Sequence, residues 1–181
     1  MAKLRGVKTQ SIAEHLKQKL LSDPERFRRI EVFYDHGDSS KPGVGRPSTY
    51  MGRRYGRDAT LSEVDIVVAK GKNLILTIEI EESIVNPKKV IGDVFGIALA
   101  DGIRIKGKPY SIKNATTIIA IVDDGKGKRS AKYFRLERHL DRYFKAIPSK
   151  TLKKVRIITC PSHDLVRRIE RLIRLETGKR I

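Results

Sequence analysis

One stretch of the chain sorts its apolar and polar residues more cleanly than any other. In "EVDIVVAKGKNLILTIEIEE" (63–82) the alternation has period two, which predicts two β-strands and a tight connection. A three-residue loop, Gly71-Lys72-Asn73, fits because Gly and Asn both tolerate left-handed dihedrals. In that register Lys70 faces Leu74 and Asp65 faces Glu79. Val64, Ile66, Val68, Leu74, Leu76, Ile78 and Ile80 then share one apolar face. Glu63, Asp65, Val67, Ala69, Ile75, Thr77, Glu79 and Glu81 share the other. A two-residue loop would slip the pairing by one and mix the faces, so the three-residue register is expected.

The rest of the chain follows helix and strand periods in turn. Ile12, Leu16, Leu20 and Leu21 predict a helix over 11–21, with Ser11 as cap and Glu14 completing a capping box. Ile30, Val32 and Tyr34 predict a strand ended by Asp-His-Gly. A helix is expected from Pro87, capped by Asn86, with Val90, Ile91, Val94, Ile97 and Ala98 inward. "TTIIAIVDDG" reads as a central strand. "RSAKYFRLERHLDRYFKAI" reads as a helix with Phe134, Leu136, Leu140 and Phe144 inward. "KKVRIITC" is a strand, and "SHDLVRRIERLIRLE" a last helix on Leu165, Ile169, Leu172 and Ile173. The order predicts an α/β fold, a mixed central β-sheet flanked by helices on both faces. Residues 39–60 show no apolar period and predict a long loop, of the kind that is usually functional.

Composition narrows the class. The chain has 181 residues, 39% of them apolar, enough for one domain with one sizeable core. Lys and Arg number 39 against 21 Asp and Glu, a net charge of +18. Such an excess opposes compaction and implies a polyanionic partner, nucleic acid first and an anionic membrane surface second. No apolar run approaches the roughly 20 residues of a membrane span, so no membrane insertion is expected. The single cysteine, Cys160, excludes an intramolecular disulfide and a cysteine zinc cluster, and fits a reducing, cytoplasmic setting.

The loop concentrates that charge. Lys41, Arg46, Arg53, Arg54 and Arg57 have no acid among them, and Tyr50 and Tyr55 are interleaved. Such residues contact phosphates and stack on bases, which makes the loop the expected nucleic-acid grip. "DDGKGKRS" (123–130) lacks phosphate-loop spacing, so no nucleotide cofactor is expected. Asp35, His36 and Asp38 read as a strand-ending turn. Ser162 reads as a helix cap beside Cys160 and His163.

Against this basic background the acids at the strand end stand out. Glu79 and Glu81 project from one face roughly 7 Å apart, and Asp65 lies across from Glu79. Carboxylates so close repel one another unless a cation or proton intervenes. Mg²⁺ takes such oxygen ligands and serves phosphate chemistry.

A helix bearing Glu14, a basic loop, Asp65 opening one hairpin strand and "EIE" ending the next resemble the PD-(D/E)XK nuclease superfamily. Its restriction-endonuclease-like core is shared with archaeal Holliday junction resolvases. The resemblance covers about residues 11–122. It implies a Mg²⁺-dependent endonuclease, with Mn²⁺ as a substitute, that hydrolyses DNA in restriction or at branched junctions. By the same resemblance Asp65, Glu79 and the Ile80 carbonyl are metal ligands, and Glu14 matches an acid of the first helix. Glu81 stands where the family usually has lysine; some restriction endonucleases carry Glu there as a metal-linked base. In others the lysine has moved to the next helix, where Lys88 or Lys89 would serve. Val64 replaces the proline of the name. The resemblance also implies a homodimer. The alternative is a non-catalytic nucleic-acid-binding protein on the same fold.

Overall fold

The computed structural model describes residues 7–23, 27–35, 45–52, 59–81, 86–113, 115–122, 131–146 and 152–176. In chain order the first elements are α1 (Val7–Leu21), β1 (Ile30–Tyr34), β2 (Ser48–Tyr50), β3 (Thr60–Glu63), β4 (Ile66–Lys70) and β5 (Asn73–Glu81). There follow α2 (Pro87–Ala98), β6 (Gly102–Ile105), β7 (Lys108–Tyr110) and β8 (Ala115–Val122). Last come α3 (Ala131–Ala146), β9 (Leu152–Cys160) and α4 (Ser162–Glu176).

The predicted mixed sheet is present. Its strand order is β1-β4-β5-β8-β9, antiparallel from β1 to β5 and parallel from β5 to β9. Parallel strands need crossover connections; here the crossover helices α2 and α3 cover one face, and α1 and α4 cover the other. On one face Ile12 and Leu16 of α1 and Leu165, Ile169 and Ile173 of α4 bury Tyr34, Ile66, Ile78 and Ile118. On the other, Val90, Val94 and Ile97 of α2 and Tyr133 and Leu140 of α3 bury Val67, Ile119, Val155 and Ile157. β8 lies between both layers with every residue buried, as its unbroken apolar run requires. Among the described residues no helix is long and apolar enough to cross a membrane.

The hairpin reaches the expected register by an unexpected route. Its turn is two residues, Gly71-Lys72, with Lys70 opposite Asn73 and Gly71 at a positive φ of 61°. A β-bulge then leaves Ile75 without a partner. Beyond it Val68 pairs with Leu76, Val67 with Thr77 and Ile66 with Ile78. Continued by one step, this register brings Asp65 level with Glu79. The bulge also exchanges two side chains. Leu74 enters the core under α2 and α3, and Ile75 packs against the core under α1 and α4.

Five other readings of the sequence change. The first hairpin strand is broken at Val64-Asp65, because residues 60–63 belong to a second sheet of order β3-β2-β6-β7. β2 lies inside the span expected to be loop. β6 and β7 were not predicted, since strands of three or four residues are too short to display a period. α1 begins a turn early at Val7, so Ser11 lies inside it and does not cap it. In α3 Phe134 is 43% exposed, and Tyr133 and Glu137 take the buried stripe with Leu140. The α2 cap is as expected: the Lys88 backbone N–H donates to Asn86 Oδ1 at 3.0 Å.

Glu137 is buried for a reason. β9 is an edge strand, and its outward N–H groups would otherwise be unpaired. Ile157 N–H donates to Glu137 Oε2 at 2.7 Å, and Val155 N–H donates to Asp141 Oδ1 at 3.4 Å. Arg156 Nη1 adds a bond to Glu137 Oε1 at 3.1 Å. Two acids one turn apart on α3 thus close the sheet on that side.

Candidate active site

β4 and β5 part company at the end nearest the acids. In the antiparallel ladder Ile66 and Ile78 face each other, and Ile80 would be next to seek a partner on the β4 side. The chain has already turned toward β3, so no backbone partner remains there. The Asp65 side chain fills the gap: Ile80 N–H donates to Asp65 Oδ2 at 2.8 Å. The Asp65 carbonyl meanwhile accepts from Asp35 N–H at 2.9 Å, which fixes the backbone from the other side. N–H and C=O of one strand residue point the same way, so the Ile80 carbonyl faces the opening beside Asp65.

Glu79 projects from the sheet on the α2 side, next to Ile119 of β8. Burial holds its carboxyl well above the ordinary 4.5, and the neighbouring Asp65 and Asp93 carboxylates push it further in that direction. A backbone hydrogen bond from Asp65 and the Lys89 charge oppose this. Asp65 and Glu79 therefore brace each other, each accepting from backbone beside the other. Glu81 lies two residues on, on the same face and equally buried.

α2 brings up the remaining partners. Lys89 Nζ pairs with Glu81 Oε1 and lies 3.7 Å from Asp93 Oδ2. Asp93 was not recognised in the sequence. It falls between Val90 and Ile97 on the inward stripe of α2, and an acid on an apolar stripe is the signal that would have found it. Its Oδ2 is buried with no hydrogen bond among the described residues, and burial raises its carboxyl above the ordinary range, with Lys89 opposing.

The predicted site residues therefore separate into groups. Asp65, Glu79, Ile80, Glu81 and Lys89 come together. Lys88 is exposed, and its side chain makes no ion pair among the described residues. Glu14 lies on the opposite face, accepting from Gln10 Nε2 at 3.0 Å and Tyr34 Oη at 3.4 Å. Arg46 is held by two acids, Nε 3.4 Å from Asp35 and Nη1 3.1 Å from Glu63, which raise its pKa. Tyr50 sits in β2 with the Arg104 guanidinium 4.4 Å above its ring, so one stacking face is taken. Lys41, Arg53, Arg54, Tyr55 and Arg57 lie outside the described residues, as do 36–44 and 123–130.

Hard oxygen donors suit Mg²⁺. Among the described residues no three His, Cys, Asp or Glu are drawn together as a bound ion would draw them. Lys89 supplies positive charge at that point instead. Asp65, Glu79 and the Ile80 carbonyl are the oxygen donors at this end of β5 that could hold such a cation. No family model, curated protein or solved structure matches this chain.

Proposed function

We propose that the chain is a divalent-cation-dependent endonuclease that hydrolyses DNA. The observation that carries this reading is the pairing of Asp65 with Glu79 at the opened end of β5, on a protein of net charge +18. A carboxylate used as a strand partner is fixed in direction, and that fixity is what a catalytic ligand needs. Counting only the strands of the five-stranded sheet, the order α1, β1, β4, β5, α2, β8 supports the resemblance to PD-(D/E)XK nucleases.

Asp65, Glu79 and the Ile80 carbonyl would hold Mg²⁺, or Mn²⁺ in its place. When bound, such an ion activates water and stabilises charge on a phosphate in transfer. The other roles fall to the chain itself. Asp65 stays oriented through Ile80 N–H. Glu81 stands on the same face to take a proton from the attacking water. Lys89, half-exposed on its flexible stem, offers its ammonium to a phosphate oxygen. The basic excess holds the DNA backbone and makes binding salt-dependent. Cutting both strands of a duplex uses two such sites, as in a homodimer.

The test is cleavage of supercoiled plasmid and of four-way junction DNA in Mg²⁺ or Mn²⁺. Wild type nicks or cuts; Asp65→Asn and Glu79→Gln bind but do not cut. Failure to cleave any DNA form in either metal sinks the enzyme. A second reading, a non-catalytic DNA-binding protein, draws support from the Glu81–Lys89 ion pair, which neutralises one of the site's acids. It predicts salt-sensitive binding with no cleavage.

A further inference from the structure

The two faces of α3 differ sharply in charge. Tyr133, Glu137 and Leu140 turn inward, and both acids of the helix, Glu137 and Asp141, accept from the backbone of β9. The outward face keeps cations and no acid. Lys132, Arg135, Arg138, Arg142 and Lys145 are all exposed there, and none makes an ion pair among the described residues. At 3.6 residues per turn the five fall within one arc of about 140°, opposite Leu140. Elsewhere the cations are held: Arg46, Lys89, Arg156 and Arg174 each lie beside a carboxylate. Like charges three or four residues apart destabilise a helix. The fold supplies no acid to offset them on this face; a polyanion would. From Lys132 to Lys145 the row is about 20 Å long, the length of roughly six nucleotides in one strand.

The sheet register places this row beside the acids of β5. Asp141 meets Val155 and Glu137 meets Ile157, so α3 runs antiparallel to β9 and its first turns lie toward Cys160. Ile157 pairs with Ile119, and Ile119 with Glu79; Thr159 pairs with Ile121, and Ile121 with Glu81. Glu137 is therefore level with Glu79, and the two strand steps from β5 to β9 cover about 10 Å. Lys132 and Arg135 lie further along, in the direction of Glu81. The helix and the acids also share the α2 side of the sheet. We propose that the outward face of α3 is the surface on which the DNA backbone lies, its cations contacting phosphates without regard to sequence. This rests on the DNA-binding half of the reading above and not on cleavage. An anionic membrane fits less well, because a helix lying in a membrane surface needs an open apolar face. The apolar stripe of α3 is already buried against the sheet.

The test measures binding of the full chain to duplex DNA of two unrelated sequences, by fluorescence anisotropy over a salt series. EDTA is present, so cleavage plays no part. One variant combines Lys132→Gln, Arg135→Gln and Arg142→Gln. Its control combines Arg167→Gln, Arg168→Gln and Arg171→Gln, which remove the same charge from exposed positions of α4 across the sheet. The α3 triple lowers the slope of log K against log salt by about 2.7, alike for both sequences, and the α4 triple lowers it by less than about 1. Arg135→Lys with Arg142→Lys keeps the wild-type slope, because phosphate contact needs the charge alone. Equal losses in the two triples overturn the inference. So does an α3 triple that binds DNA as wild type does but no longer binds phosphatidylserine vesicles. A wild type that shows the expected slopes yet cuts no DNA in Mg²⁺ upholds the α3 surface and sinks the endonuclease.

Discussion

Replacing Asp65 separates two jobs that one carboxylate performs. Oδ2 serves as strand partner to Ile80 N–H at 2.8 Å, in a region where Ile80 is only 7% exposed. Asp65→Ala deletes that acceptor and leaves a nearly buried N–H unpaired. A hydrogen bond to a charged acceptor contributes about 1.5–3 kcal/mol. Part of this is returned, because the same change removes a charge that disfavours ionised Glu79. The net loss should be ~1–2 kcal/mol, which for a chain of this size lowers Tm by roughly 2–8 °C. Asp65→Asn keeps an amide oxygen in place and removes the charge, so its Tm should match or exceed that of wild type. Both variants should lose DNA cleavage. Thermal melting and plasmid nicking on the same preparations make the comparison. If Asp65→Ala melts with wild type, the side chain is not replacing a strand; if Asp65→Asn still cuts, it is not a ligand.

Three further outcomes are expected. Glu79 binds its proton more tightly folded than unfolded, so its contribution to stability declines as pH rises from about the ordinary 4.5 toward its raised folded value. Glu79→Gln lacks that decline, and its Tm advantage over wild type should widen between pH 4 and pH 8; parallel curves would count against the burial argument. Glu137→Ala strips the cap from Ile157 N–H and should cost about 2–3 kcal/mol, with little from the partly exposed Arg156 ion pair. A loss below about 1 kcal/mol in urea unfolding would reject the edge-closing role. In Gly102→Ala the new Cβ would sit 2.6 Å from Tyr50 Oη and 2.9 Å from the Tyr110 carbonyl, so the Tyr50 ring must swing away and β6 and β7 must part. Amide exchange should quicken in the four-stranded sheet and stay unchanged in β5 and β8.

The sequence was most legible where burial enforces a period. β8 is apolar throughout because both its faces are covered, and α2 was bounded by Asn86 and Pro87 at one end. Glu79 and Glu81 could be placed on one face from alternation alone. The second sheet was invisible for a physical reason: "STY", "TLSE", "GIRI" and "KPY" are too short to show a repeat. Ser11 and Glu14 had the spacing of a capping box, but the four residues before Ser11 continue the helix, and no local rule weighs that. Glu137 and Asp93 were missed together. Each is an acid on an inward stripe; the partner of Glu137, the β9 edge, and the neighbour of Asp93, the Glu79 carboxylate, come near only in the folded sheet.

The β-bulge at Ile75 has a consequence for how the hairpin can change in length. The turn and the acids are at opposite ends of β4, and the bulge sits between them, nearer the turn. With one residue removed at Gly71-Lys72, Asn73 would join a two-residue tip and the bulge would straighten, leaving Ile66 opposite Ile78 as before. Variation at the tip is thereby absorbed before it reaches Asp65 and Glu79. The hairpin carries its own length buffer, and relatives of this chain are free to differ by a residue at the turn while keeping the same two carboxylates side by side.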